Sequence, residues 1–302
     1  MLNTSRWRKF LAVSAAVLLS VCIATPLVNA YDQPASYDQP TFKDDVLVFG
    51  LTKVGRLVRF KADSPYRTKG IGRITGLVSP DTALIGIDFR VQDGLLYGVG
   101  NGGGVYTIDT KNAQATFVNS LTVPFEGTSF GVDFNPAADR LRIISDTGQN
   151  LRHNVNSGGT TLADGILTYT PPPIDPTTPA PLPPPPALGV VAAAYTNNDL
   201  DANTATTLFV VDSTLDQIAI QSPANNGILV PTGKLGIDID AIAGFDIFSD
   251  LVDGVTVRNR AFATLLMDRT YSFYQINLLT GAATYLGDFY RKIIDIAVWL
   301  DQ

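Results

Sequence analysis

The chain has 302 residues, with 22 basic and 28 acidic side chains, a net charge of −6 and a single cysteine. Its first 30 residues read as an export signal: Arg6, Arg8 and Lys9 precede an apolar run over 10–23, and Val28-Asn29-Ala30 offers a small-residue cleavage site. Cleavage there removes three cations and no acids, leaving 19 basic against 28 acidic residues, a charge of −9 and no thiol. That excludes disulfides, thiolate chemistry and a Cys-ligated metal, and it speaks against nucleic acid or an anionic membrane as partner.

The apolar run is short for a bilayer span, so no integral membrane segment is expected after cleavage. Acylation at Cys22 would want a small residue where Val21 stands, and an apolar tail follows the cysteine. All acids but Glu126 are aspartates, a bias toward turns and strand ends, and no segment sustains a 3.6-residue apolar period.

Residues 31–44 repeat Tyr-Asp-Gln-Pro at 31–34 and 37–40 and read as a flexible lead-in. One domain is expected from 45 to 302. Two strands fall in 46–65 about a turn at Lys53-Val54-Gly55, followed by strands over 70–75, 83–90, 95–100, 104–110 and 113–118. Phe130–Gly158 holds three more, with turns at 135–139 and 146–149. The proline-rich stretch 171–187 cannot donate ladder hydrogen bonds and reads as an exposed insertion. Strands then run over 190–196, 206–212, 216–222, 241–248, 260–266, 271–281, 282–287 and 293–300.

Two kinds of strand repeat. One is tight and apolar: Ile85-Gly-Ile-Asp-Phe89, Phe130-Gly-Val-Asp-Phe134, Val191-Ala-Ala-Ala-Tyr195, Ala243-Gly-Phe-Asp-Ile247 and Ile294-Asp-Ile-Ala-Val298. The other alternates and ends on a turn-starting residue, at Lys61, Asp109, Asn154, Asp212 and Asn277. Five interleaved copies of each predict an all-β propeller of five four-stranded blades, with six or seven as the alternative count. An alternating strand comes first and a tight strand last, so an open stack would leave two half-units with bare edges. A ring closed by the C-terminal strand pairs them. Small residues at Gly86, Gly131, Ala193 and Gly244 suit strands converging on an axis.

The segments GRITGLVSPDTALIGIDFR (72–90), GTSFGVDFNPAADRLRIISDTGQNLR (127–152), TLFVVDSTLDQIAIQSPANNGILVPTG (207–233) and INLLTGAATYLG (276–287) resemble a secreted bacterial family, domain of unknown function 4394. The resemblance covers roughly 45–300 and implies a propeller-like fold and export. It supplies no activity and no catalytic residues. The chain departs from the family pattern in the proline-rich insertion and in His153, where an apolar residue is usual.

Three acids recur at one place of the tight strand, Asp88, Asp133 and Asp246, with Tyr195 and Ala297 read as their counterparts. Around one axis they would hold a divalent cation or a sugar hydroxyl, or simply accept backbone N–H groups of the next blade. Arg142, Asp146, Gln149, Asn150 and Arg152 form the densest polar cluster and the candidate binding surface, against an alternative of cross-strand pairs and turn caps. Asp199, Asp201 and Asn203 have calcium-loop spacing but lack the Gly and Glu of an EF-hand. His153, the lone histidine, reads as a hydrogen-bonded core residue, and Gly100–Gly104 as a hairpin turn rather than a phosphate loop. No cofactor is required. The composition fits an exported, non-enzymatic binding or scaffold propeller, periplasmic or extracellular, with a glycan, peptide or protein as ligand. The alternative is a metal-assisted hydrolase or lyase using the axial aspartates.

Overall fold

The computed structural model describes residues 45–169 and 184–300. The signal segment, the lead-in and most of the proline-rich stretch lie outside those residues. The described chain forms five sheets and no α-helix. Blade I is made of Leu47–Thr52, Arg56–Lys61 and Lys69–Arg73, with Ile293–Val298 from the far end of the chain as its inner strand. Blade II runs outward from Leu84–Phe89 to Ala115–Ser120, and blade III from Phe130–Asn135 to Thr161–Ala163. Blade IV runs from Val190–Tyr195 to Ile228–Lys234, and blade V from Ala243–Val252 to Ala283–Asp288.

The ring closes where the tandem-strand order requires it. Val48 pairs with Val298, Phe49 with Ala297 and Gly50 with Ile296 in an antiparallel ladder. The apolar core is divided into five clusters, one between each pair of neighbouring blades. Phe49 and Leu51 face blade II while Val48 and Val58 face blade V. Both faces of the inner two strands are therefore dry, which is why LVFGLT and VVAAAY are apolar runs rather than alternations.

The inner strands touch backbone to backbone. A Cβ on Gly131 would stand 2.5 Å from the Ala193 amide nitrogen, and one on Gly244 2.5 Å from the Asp295 Cα. Turn chemistry also follows the repeat. The side-chain oxygens of Asp109, Asn154, Asp212 and Asn277 each accept the N–H two residues on, closing the same turn in four blades.

Two features depart from the sequence-based expectation. The outer strands Thr161–Ala163 and Ile228–Lys234 were not anticipated: the first has three residues, and the second carries Pro231 and Gly233 on a half-exposed edge. In blade V the strands expected over 241–248 and 260–266 extend to meet in a hairpin at Asp253-Gly254. Thr168–Tyr169 adds a short parallel strand to the edge of blade IV.

Candidate functional site

The tight strands bring four acids to the axis, each buried, and each gives an oxygen to the neighbouring blade. Asp295 of blade I accepts the Ile87 N–H at 2.7 Å, Asp88 of blade II the Phe134 N–H at 2.7 Å, and Asp133 of blade III the Tyr195 N–H at 2.9 Å. Asp246 of blade V accepts the Val298 N–H at 2.5 Å and its own neighbour's Ile247 N–H at 2.5 Å. The ladder registers correct one assignment. Ala194, not Tyr195, stands at the place of the recurring acids, and Tyr195 is the residue whose amide receives Asp133.

Blade IV therefore offers blade V no axial carboxylate. That joint is closed by Asn197, Asn198 and Asp199 instead. The Asn198 side chain donates to the Ile247 carbonyl at 2.9 Å, Asn197 and Asn259 exchange bonds, and Asp199 accepts the Thr256 N–H at 2.9 Å. The segment with calcium-loop spacing is thus an inter-blade clamp, and Asp201 turns inward on Asn203.

Oxygens of Asp88, Asp133 and Asp246 lie within 4.8 Å of one another. Burial pushes all the axial carboxyls up. Asp246 reaches about 7, and Asp88 and Asp133 rise well above the ordinary carboxylate range, helped by the charge of their axial neighbours. Burial holds Asp295 well up too. Such a cluster has two chemical uses: it holds protons among hydrogen-bonded carboxyls, or it holds a hard cation on ionised ones, since oxygen donors of this kind suit calcium or magnesium.

One mouth of the axis is a cavity of about 340 Å³ ringed by the first tight-strand residue of every blade, Ile85, Phe130, Val191, Ala243 and Ile294, with Lys53, Thr128 and Ser129 at its rim. The Ser129 hydroxyl donates across it to the Ala241 carbonyl at 2.5 Å. Asp88, Asp133 and Asp246 stand three residues deeper, roughly 10 Å along the strands, whereas Asp295 follows directly on Ile294 of the mouth.

The expected polar surface cluster is dispersed. Arg142 and Asn150 are buried, and Arg142 braces blade III against blade IV through Asn150 and Asp164 at 2.7 Å and Asn225 at 2.8 Å. Arg152 shares Asp164 at 2.9 Å. Asp146 and Gln149 accept the N–H groups of Thr128 and Glu126, both at 2.9 Å, and so fix the loop that forms the axial mouth. These five residues make cross-strand pairs, turn caps and, through Arg142 and Asn150, bonds to blade IV.

His153 is fully buried between blades II and III. Asn119 donates its amide protons to carbonyls of Asn154 and Val155, so its Oδ1 is the acceptor for His153 Nε2–H at 2.9 Å. Thr161 Oγ1, which accepts the Thr122 N–H, donates to Nδ1 at 3.0 Å. Burial, with Arg140 nearby, holds its pKa down at about 4. The glycine-rich turn cradles an anion from its own chain: Asp81 accepts from Gly102, from Gly104 at 3.0 Å and from the Tyr106 hydroxyl at 2.7 Å.

One feature escaped the sequence reading. Residues 46–75 carry seven cations and one acid in a chain that is otherwise acidic, and they fold into three strands of one blade. A charge count by segment would have found it, whereas the net charge averaged it away.

The family model described as a domain of unknown function, DUF4394, matches residues 56–297. No curated protein matches the chain. Among solved structures it is similar to a protein from Lactobacillus plantarum, 12% identical with TM-score 0.39, over 85% of this chain and 99% of that one. It is also similar to a protein of unknown function from Bacteroides thetaiotaomicron, at 10% and 0.44 over 80% and 55%. An auxiliary nutrient binding protein from the same organism matches at 14% and 0.40 over 64% and 45%. Likeness this remote carries no inference about chemistry.

Proposed function

The chain belongs to the DUF4394 family, a domain of unknown function, and from that premise we propose that it is an exported, non-enzymatic binding propeller of the periplasm or cell exterior. The observation that supports this most is the state of the axial acids. Each has a carboxylate oxygen occupied by a backbone N–H of the next blade, and burial favours their protonated forms. Groups so used are seam-forming. The cationic n-region, the apolar run over 10–23 and the Val28-Asn29-Ala30 site support export. The expected mature chain starts at Tyr31, which N-terminal sequencing of the protein from a native fraction would read directly.

A second reading rests on the 4.8 Å clustering of Asp88, Asp133 and Asp246, which would suit a divalent cation at the heart of a metal-assisted hydrolase or lyase. Elemental analysis separates the two. The binding reading expects purified protein without stoichiometric divalent metal, and an Asp88→Asn variant that folds. A stoichiometric ion in the wild type that vanishes in Asp88→Asn would sink it in favour of the enzyme.

A further inference from the structure

We propose that the groove between blades I and II around Trp299 binds an acidic oligosaccharide, with its carboxylate-bearing sugars on blade I. This names a ligand class for the binding reading above, on which it rests. Three cavities adjoin there, of about 430, 510 and 440 Å³. The first two share Trp299 and Thr110, and the last two share Leu47, Arg59 and Lys69, so they are neighbouring recesses along one channel-like surface groove. It lies on the face opposite the axial mouth, since Trp299, Leu96 and Leu47 sit at the end of their blades where the inner strands of I and II finish.

The chemistry changes along the channel. Its blade II end offers amides and hydroxyls, from Asn112, Gln114 and Thr116. Its blade I end is cationic, with Arg59, Arg67, Lys69 and the facing Lys111 all exposed. None of these four forms an ion pair with a described residue, whereas Lys61 is paired with Asp45. Two acids line the channel, Asp63 and Asp109, and an oxygen of Asp109 is taken by the Lys111 N–H.

The contrast with the rest of the molecule is large. Residues 46–75 carry a net +6, while 76–288 carry 9 cations and 21 acids, a net −12. Four of the seven cations in 46–75, Arg59, Lys61, Arg67 and Lys69, line these recesses and Lys111 faces them, whereas Lys53 stands at the opposite mouth. These groups attract an acidic ligand to this face of an otherwise acidic chain.

Between the cavities of about 430 and 510 Å³ stands an indole. Trp299 packs on Phe49 and Phe89, with ring centroids at 5.7 and 5.2 Å, yet is 41% exposed. A rigid, exposed aromatic plane with a recess on either side suits the flat apolar face of a pyranose ring, and neighbouring hydroxyl and amide groups suit its hydroxyls. Arg59, shared by two recesses, can take a sugar carboxylate through two parallel N–H bonds. A membrane surface would not reach into a concave channel. A nucleic acid strand would bring a phosphate at every step to a chain of net charge −6, −9 once the expected signal is removed, with one exposed aromatic in the groove to stack on.

The test uses the mature protein and three probes: de-esterified oligogalacturonate, its methyl-esterified form and single-stranded DNA, titrated by calorimetry at two salt concentrations. The expected result is saturable binding of the de-esterified oligomer, weaker at high salt, and none of the ester. The exposed pair Arg59→Gln/Lys69→Gln should lose about tenfold or more in affinity. Trp299→Leu, at an unchanged melting temperature, should lose a similar factor. Absence of oligogalacturonate binding at millimolar concentration overturns the proposal. So does binding of DNA as tight as that of the sugar, or a Trp299→Leu variant that folds and binds normally. Asp88→Asn should bind the oligomer like the wild type. Metal found at the axis would therefore refute the non-enzymatic reading without touching the groove.

Discussion

Protons at two buried places respond to pH in opposite directions. The folded pKa of Asp246, about 7, lies above its ordinary value, so the folded state holds a proton that the unfolded chain releases above about pH 4. Its stabilising contribution is complete below that and is lost as pH rises to about 7, with a ceiling of roughly 4 kcal/mol. Both Asp246 oxygens accept a backbone N–H, and Asn can take only one of the two. Asp246→Asn should therefore lower the midpoint of denaturant unfolding at pH 4, where the wild type keeps its proton, and lower it less at pH 8, where the wild type has released it; an equal fall at both pH values would refute the proton-holding seam. His153 works the other way. Its folded pKa of about 4 lies below the ordinary 6.5, so the unfolded chain takes the proton first and stability is lost as pH falls from 6.5 to 4. At pH 7 the sequence alone left His153→Leu between mildly stabilising and costly. With Asn119 Oδ1 and Thr161 Oγ1 as partners, the cost should be about 1–3 kcal/mol, because both are left unmatched in a dry interface. A variant as stable as wild type in urea would contradict that pairing.

Strands were legible in proportion to how much of them is buried. The inner and second strands of a blade are covered on both faces, so they appear as apolar runs such as ALIGIDF and LRIIS, and the repeated turn-starting residues mark their partners. Outer strands meet solvent on one side and pack loosely on the other, and Thr161–Ala163 left almost no pattern to read. The recurrence of Asp88, Asp133 and Asp246 was legible as well, because each fulfils the same bond to the next blade. The polar cluster from Arg142 to Arg152 misled because density of charge along a strand says nothing of depth: Arg142 and Arg152 pair directly across the ladder and converge on Asp164, just past the outer strand, with Arg142 buried. The groove was illegible for a different reason. Its parts come from residues 47–71, 94–116 and 299, and only ring closure brings the C-terminal tryptophan to the first blade. The Asn197–Asp199 clamp, similarly, has meaning only beside the Ala194 that leaves the axial stitch open.

Closure makes the ring one cooperative unit, and the last strand is where that can be broken. Deleting 293–302 removes the whole ladder from Val48–Val298 to Thr52–Ile293 and leaves Leu47–Thr52 as a bare apolar edge. It removes Ile293, Ile296 and Val298 from the cluster between blades V and I, and Ala297 and Leu300 from the cluster between I and II. Two axial stitches go with it, Asp295 to Ile87 and Asp246 to Val298, the second leaving one oxygen of a buried carboxyl without its partner. Both joints of blade I fail together, so the loss cannot stay local. The truncated protein should show no cooperative thermal transition, and a synthetic peptide spanning 289–302 added in excess should restore one by pairing with the exposed edge. Melting of the truncated chain at the full-length temperature would mean that the ring holds without its last strand. Restoration by a scrambled peptide of the same composition would mean that the edge binds strands indiscriminately, and the register read from Val48 and Val298 would then not be what closes the molecule.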